Sequence, residues 1–193
     1  MSVLTADEFT KTKIYKVIEE NKANNIYTGT PFENLTSLSS KAKGSKFEQL
    51  TEEHFRKMCS ENDFDIIRYK NKGSEYDRHF LVLHKHNILF EIKGSCIWQD
   101  TNVFKWQQIR PLHRYSHMLF LGVYFDRIEF YYCTKKEIVD YVMVQDEDGN
   151  WPYAQHGGKN NNKTPDTFWI QGQPSDFPFM KPLDDIFEKE FLL

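Results

Sequence analysis

The sequence has few cysteines, and they are isolated from one another. Cys59, Cys96 and Cys133 are odd in number and far apart, which fits neither a disulfide framework nor a CxxC zinc or redox site. This usage argues against a disulfide-stapled secreted domain, and we expect a cytoplasmic protein.

The sequence also lacks a long apolar run and a large excess of charge of either sign. No run approaches the roughly 20 residues that span a bilayer, and the opening residues MSVLTADEFTKTK lack the features of a secretory signal. We therefore expect neither export nor membrane insertion. The net charge of −3 gives no global attraction to nucleic acid, but a domain average hides local fields.

What is present is typical of one globular domain. The chain has 193 residues, 39% of them hydrophobic and 16% aromatic, which is enough for one sizeable core. We predict a single domain over 1–193, with a core at about 44–144, an N-terminal extension over 1–43 that contains a helix at about 7–22, and a loop-rich C-terminal segment over 145–193.

Hydrophobic periodicity predicts the order α, β, β, β, α, β, β, α within the core. The first helix covers 46–60, and two strands, HFLVL and ILFEIK, form a hairpin around HKHN. Val103, Trp106 and Ile109 suggest a short helix that Pro111 ends. Thr134 and Glu137 form a capping-box pattern that opens the last helix.

The strand ILFEIKGS carries two charged residues in an apolar context. Side chains two apart on a strand share a face, so Glu91 and Lys93 lie on one side and the apolar residues on the other. With Lys85 and His86 at the hairpin tip, Asp77 falls opposite Gly94, within two residues for the unknown turn type. Two carboxylates that converge repel each other, and hard oxygen ligands favour Mg²⁺ or Mn²⁺. A solvated Glu-Lys pair on a sheet face is the alternative.

The segment SEYDRHFLVLHKHNILFEIKGS resembles the PD-(D/E)XK nuclease superfamily. The resemblance covers roughly residues 44–133 and implies an α/β (α+β) fold with a restriction-endonuclease-like αβββαβ core, a mixed central sheet flanked by helices. It also implies that Asp77, Glu91 and Lys93 are catalytic, with Asp77 and Glu91 as ligands of Mg²⁺, for which Mn²⁺ may substitute. Tyr76 stands where the motif has proline. Glu48, on the first helix, resembles a further acidic site residue; the alternative is a surface glutamate.

A second resemblance, of FKWQQIRPLHRYSHMLFLGVYFDRIEFYYCTKKEI to the region after the active site in type II restriction endonucleases, indicates where DNA is bound. Polar residues of that region and of the segment QHGGKNNNKT have the side chains that reach phosphates and base edges. The alternatives are a polar helix face for the first set and a disordered insertion for the second. The predicted DNA-binding residues are Gln107, Gln108, Arg110, His113, Arg114, Lys159, Asn160 and Lys163.

The function that these resemblances imply is a Mg²⁺-dependent type II restriction endonuclease that hydrolyses double-stranded DNA at a specific sequence. We expect a homodimer, because two copies related by a two-fold axis match the two strands of a duplex. The alternatives are a repair or junction-resolving nuclease with the same core, and a catalytically silent DNA-binding module.

Overall fold

The computed structural model describes residues 10–11, 16, 25–69, 75–83, 86–98, 101–155 and 164–192. The predicted N-terminal helix at 7–22, the hairpin tip and the residues Lys159, Asn160 and Lys163 therefore lie largely or wholly outside the described part. The helices and strands are α1 (Glu33–Thr36), α2 (Ser40–Glu61), β1 (Ile66–Tyr69), β2 (Arg78–Val82), β3 (His86–Cys96), β4 (Phe104–Ile109), β5 (His117–Val123), β6 (Ile128–Thr134), α3 (Lys135–Val142), β7 (Phe168–Gly172) and β8 (Lys181–Pro182).

Six strands form a mixed sheet in the order β1-β2-β3-β5-β6-β8. Strands β3 and β5 are parallel, and all other neighbours in this sheet are antiparallel. The fold is therefore mixed α/β with a mixed central sheet, as predicted. None of the helices in the described part is both long enough and apolar enough to cross a membrane.

Helix α2 covers one face of this sheet. Its N-cap, Ser39, accepts a hydrogen bond from the Ala42 amide at 3.4 Å, so it begins six residues earlier than predicted. Phe47 and Phe55 lie on its buried face, and the Phe55 ring meets Phe90 edge-on at 5.1 Å. Aromatic side chains thus fix the helix over β3.

The opposite face is covered by a second, two-stranded antiparallel sheet, β4-β7. The Trp106 ring of β4 packs edge-on against Phe120 of β5 at 5.6 Å, and its indole N–H donates to the Leu121 carbonyl at 3.0 Å. The predicted helix around Val103, Trp106 and Ile109 is wrong, because these residues belong to or border a strand.

This correction changes the predicted αβββαβ order. The chain passes from β3 to its parallel neighbour β5 through strand β4 where that order has a helix. The C-terminal segment also adds strands to both sheets, since β7 pairs with β4 and β8 with β6. Helix α3 does begin at the predicted capping box, in which Thr134 accepts from the Glu137 amide.

The hairpin register differs from the prediction. His86 pairs with Val82, and Arg78 pairs with Phe90, so the connection has three residues instead of two. One further step along this register places Asp77 opposite Glu91, and the Asp77 amide donates to the Phe90 carbonyl at 2.7 Å. Asp77 is therefore three residues from the predicted position opposite Gly94 and closer to the charged pair.

Strand β3 continues through Gly94 to Cys96, and Gly94 allows helix α2 to approach the strand closely. A Cβ built on Gly94 lies 2.0 Å from Cδ2 of Phe47, whose side chain is buried. We expect Gly94→Ala to lower the free energy of unfolding by about 1–3 kcal/mol, because overpacking forces the ring or the helix to move.

Gly44→Ala is the matched control for this measurement by urea unfolding. Gly44 lies in the same helix and has no atom within 4 Å of a built Cβ. Alanine there is expected to raise the free energy of unfolding by about 0.5–1 kcal/mol, since glycine loses more backbone freedom in a helix. Equal effects of the two substitutions would contradict the close approach at Gly94.

Candidate active site

A cleft of about 1110 Å³ opens beside the second half of β3. Strand β2 pairs only with residues 86–90 of β3, whereas β5 pairs with residues 90–96 on the other side. Past Phe90, no strand of the described residues pairs with the edge of β3 that faces β2, and polar side chains from α2, β3 and β4 reach the opening.

Asp77 lies at this open edge, directly before β2. Its Oδ2 accepts a hydrogen bond from the Ile92 amide at 2.6 Å. The carboxylate thereby satisfies a backbone donor that would otherwise pair with a neighbouring strand. This bond holds one oxygen of the Asp77 carboxylate against β3 at Ile92, which lies between Glu91 and Lys93 in the sequence.

Glu91 and Lys93 share a face of β3, as predicted. Lys93 Nζ lies 2.6 Å from Glu91 Oε1, and the two side chains are only 14% and 4% exposed. Burial raises the pKa of the Glu91 carboxyl, and the negative charge of Asp77 raises this pKa further, whereas the ammonium of Lys93 opposes the shift. Because a buried charge is costly, Glu91 is a carboxylate for which a nearby cation is strongly favourable.

Glu48 enters the cleft from helix α2 and is held by Arg78. The Arg78 Nη1 lies 2.9 Å from Glu48 Oε2 and its Nε lies 2.7 Å from Glu52 Oε2. Burial raises the pKa of Glu48, and the charge of Asp77 raises it further, whereas Arg78 and then Lys93 oppose these effects. The predicted set of Glu48, Asp77, Glu91 and Lys93 therefore lines one cleft.

The carboxylates of Glu48, Asp77 and Glu91 are oxygen ligands of the kind that a hard divalent cation prefers. Both Glu48 and Glu91 are in electrostatic contact with Asp77, which raises their pKa values, and a hard cation among them would remove this repulsion. In the described part of the chain, no three His, Cys, Asp or Glu side chains are grouped closely enough to hold an ion. Mg²⁺ needs only one or two carboxylates when water and phosphate complete its shell, and Asp77 and Glu91 are the pair on which such a site would rest.

The cleft is more basic than the chain as a whole. Its three acidic residues are accompanied by five basic residues, although the net charge of the chain is −3. A concave surface with an excess of positive charge attracts polyanions. The basic residues are Lys41, Lys43, Lys93, Lys105 and Arg110.

The predicted DNA-binding residues divide into two groups. Gln107, Gln108 and Arg110 line the cleft. Arg114 does not; its side chain is 81% exposed and its Nε lies 3.9 Å from Glu75 Oε2. His113 is also outside the lining, but a positive charge on its ring lowers the pKa of Glu91.

Several cleft residues escaped the sequence prediction. Ser95, on the same face as Lys93, accepts a hydrogen bond from the Lys105 amide at 2.9 Å and so fixes β4 beside β3. Lys105 Nζ lies 5.1 Å from the ring centroid of Trp98 and 4.4 Å from that of Trp169. The alternation of Phe104, Lys105 and Trp106 could have indicated an outward lysine, had the segment been predicted as a strand.

Comparison with known proteins gives no relative from which to transfer a function. No protein-family model matches the sequence, and neither a curated protein nor a solved structure matches it. The function must therefore be argued from the residues of the cleft.

Proposed function

We propose that the cleft is the active site of a Mg²⁺-dependent nuclease that hydrolyses phosphodiester bonds in double-stranded DNA, in the manner of a type II restriction endonuclease. The observation that carries the proposal is the meeting of Glu48, Asp77, Glu91 and Lys93 in one basic cleft. Glu48 comes from α2, Asp77 from the position before β2, and Glu91 and Lys93 from β3, and the sequence predicts the same four as a catalytic set.

Phosphodiester hydrolysis forms a bond from a water oxygen to phosphorus and breaks the bond from phosphorus to the sugar oxygen, which takes a proton from solvent and leaves as a hydroxyl group. A bound divalent ion would polarise the phosphate and its attached water. Lys93 stabilises the negative charge that develops on the phosphate oxygens, and it does so effectively because it is largely shielded from solvent. Glu48, whose pKa is raised, is suited to hold the attacking water and to take up its proton.

Duplex DNA is the substrate that the surroundings of this site favour. The basic residues of the cleft supply phosphate contacts, and amide side chains beside them supply groups that bond base edges. A homodimer belongs to the proposal, because each copy carries one such cleft and a duplex has two strands related by a two-fold axis. The proposed compartment is the cytoplasm, where a nuclease of this class meets incoming DNA.

Digestion of plasmid and phage DNA tests this function. Purified protein is incubated with each DNA in Mg²⁺, in Mn²⁺ and in EDTA, and the ends are sequenced. Discrete, reproducible fragments in either metal and none in EDTA are expected. Cleavage only of branched or mismatched DNA would replace the proposal by a repair nuclease, and no cleavage of any DNA would leave the silent DNA-binding module.

Glu48→Gln should slow cleavage by about 10²-fold, the lower end of the range for one general base, and less than changes at Asp77, Glu91 or Lys93, because the other groups of the site stay in place. Single-turnover rates measure the effect. Glu53→Gln is the control, because Glu53 is exposed on the same helix and should not change the rate. Equal cleavage rates for the two variants would mean that Glu48 has only a structural role.

A further inference from the structure

Strand β4 contains a bulge that turns two consecutive glutamines toward the cleft. Phe104 and Trp106 are fully buried, so strict alternation would bury Gln108 and expose Ile109. Instead Ile109 is fully buried and both Gln107 and Gln108 are exposed. The register of β4 against β7 shifts between Trp106 and Ile109, which is the signature of an inserted residue.

The bulge places Gln108 in an unfavourable backbone conformation, and a hydrogen bond to a distant segment stabilises that conformation. Gln108 has φ 56°, in the left-handed region that costs an L-residue about 1 kcal/mol or more. Its amide donates to Gln155 Oε1 at 2.7 Å, and the buried residues on both sides fix the strand ends. Backbone held in such a region occurs preferentially where a side chain has to be aimed at a ligand.

The two side chains so presented have unused hydrogen-bonding capacity. Among the described residues, nothing is hydrogen-bonded to the side-chain amide of Gln107 or of Gln108, and both line the cleft. A glutamine amide carries a donor and an acceptor that match N7 and N6 of adenine in a bidentate pair. They stand on the outer face of β4-β7, and the major groove of DNA admits a two-stranded β-ribbon.

We propose that the bulge at Gln107 and Gln108 reads adenine in the major groove of the DNA bound by the cleft. This inference depends on the part of the proposed function that makes duplex DNA the ligand. It does not depend on hydrolysis of that DNA. Lys105, between the rings of Trp98 and Trp169, and the nearby Arg110 supply phosphate contacts that hold the duplex against this element. The two side-chain amides contact the same base pair or two adjacent base pairs, because Gln107 and Gln108 are neighbours in sequence.

Selection from a randomised duplex pool tests this proposal separately from cleavage. The wild-type protein selects DNA in Ca²⁺ and, in parallel, in EDTA, and the bound sequences are compared with those selected by three variants. Gln107→Ala removes one amide. Gln108→Gly removes the other and preserves the bulge, because glycine adopts a positive φ without strain. Gln145→Ala is the control, since Gln145 is an exposed glutamine outside both β4-β7 and the cleft lining.

The wild type and Gln145→Ala are expected to enrich adenine at a fixed position, and each cleft variant to lose about 10- to 100-fold of that discrimination. A duplex with 7-deazaadenine at that position should weaken binding of the wild type and leave the matching variant unaffected. Absence of adenine enrichment, or enrichment that persists in both cleft variants, would overturn the inference. Adenine enrichment without cleavage in Mg²⁺ or Mn²⁺ would retain it and reject the nuclease.

Discussion

Replacing Lys93 by alanine is expected to slow DNA cleavage by about 10³-fold, the upper part of the range for removing one preorganised charge-stabilising group. The ammonium lies 2.6 Å from Glu91 Oε1 and is largely shielded from solvent. Its attraction for a phosphate grows as negative charge accumulates on the equatorial oxygens. It therefore contributes more to the transition state than to the bound duplex, and DNA affinity should change little.

Cleavage under single-turnover conditions and DNA binding in Ca²⁺ measure the two effects separately. Lys136→Ala is the control, because Lys136 has an 83% exposed side chain on α3 and should change neither quantity. A Lys93→Ala variant that cleaves within about threefold of the wild type would remove Lys93 from the mechanism. An equally large loss of DNA affinity would make it a binding residue.

Lys93 also affects the protonation of Glu91, and the experiment on Lys93→Ala must distinguish this effect from stabilisation of the transition state. Lys93 lowers the pKa of Glu91, so its removal allows that buried carboxyl to stay protonated at a higher pH. The cleavage rate is therefore compared at several pH values up to about 9, well above the usual range for glutamate. Recovery of the wild-type rate at high pH would mean that Lys93 only keeps Glu91 ionised, whereas a loss at every pH supports direct stabilisation of the transition state.

The local parts of this site could be predicted from the sequence because each depends on neighbours in the chain. The two-residue period of a strand places Glu91 and Lys93 on one face, and the hairpin brings Asp77, the residue before its first strand, close to them. The predicted register was wrong by three residues, because it placed a two-residue tip at Lys85 and His86, whereas the connection has three residues, 83–85, and lies earlier in the chain. The error did not separate Asp77 from the pair, since side chains across a hairpin remain neighbours over several positions.

The mistaken helix has a definite physical cause. The bulge adds a residue between Trp106 and Ile109, so two buried side chains of a strand stand three apart, which is the interval of a helix. The strand that pairs with β4 begins at Phe168, about 60 residues later in the chain. The contacts of Arg78 with Glu48 and Glu52 escaped prediction for a similar reason, since they join β2 to a helix 26 or 30 residues earlier.

The second large effect concerns the carboxylates and a divalent cation. Addition of millimolar Mg²⁺ at pH 8 is expected to raise the melting temperature of the wild type, because an ion that binds only the folded chain stabilises it. The gain is about 2.7 kcal/mol when the free ion stands at a hundred times its Kd. Asp77→Asn and Glu91→Gln should each remove most of this stabilisation, since each deletes one of the two charged ligands that we propose.

The pH dependence of this stabilisation follows from the raised pKa values of Glu48 and Glu91. A carboxyl whose pKa is higher in the folded state binds protons more readily when folded. Without Mg²⁺, these groups therefore favour the fold at low pH, and the contribution is lost as the pH rises through their folded pKa values. With Mg²⁺, protons compete for the same oxygens, so the stabilisation by the ion should grow as the pH rises.

Glu91→Gln separates this account from a general loss of stability. The amide is neutral and nearly the same shape, so the variant removes a buried negative charge, but it also leaves the buried Lys93 ammonium without its carboxylate partner. We expect it to remain folded at pH 8 without Mg²⁺, although it neither responds to the ion nor cleaves DNA. Thermal unfolding between pH 5 and pH 8 or so, with and without Mg²⁺, measures both effects, with Glu53→Gln as a control that should match the wild type. A Mg²⁺ response that survives in both Asp77→Asn and Glu91→Gln, or that grows toward low pH, would place the ion elsewhere and remove these two carboxylates from the proposed chemistry.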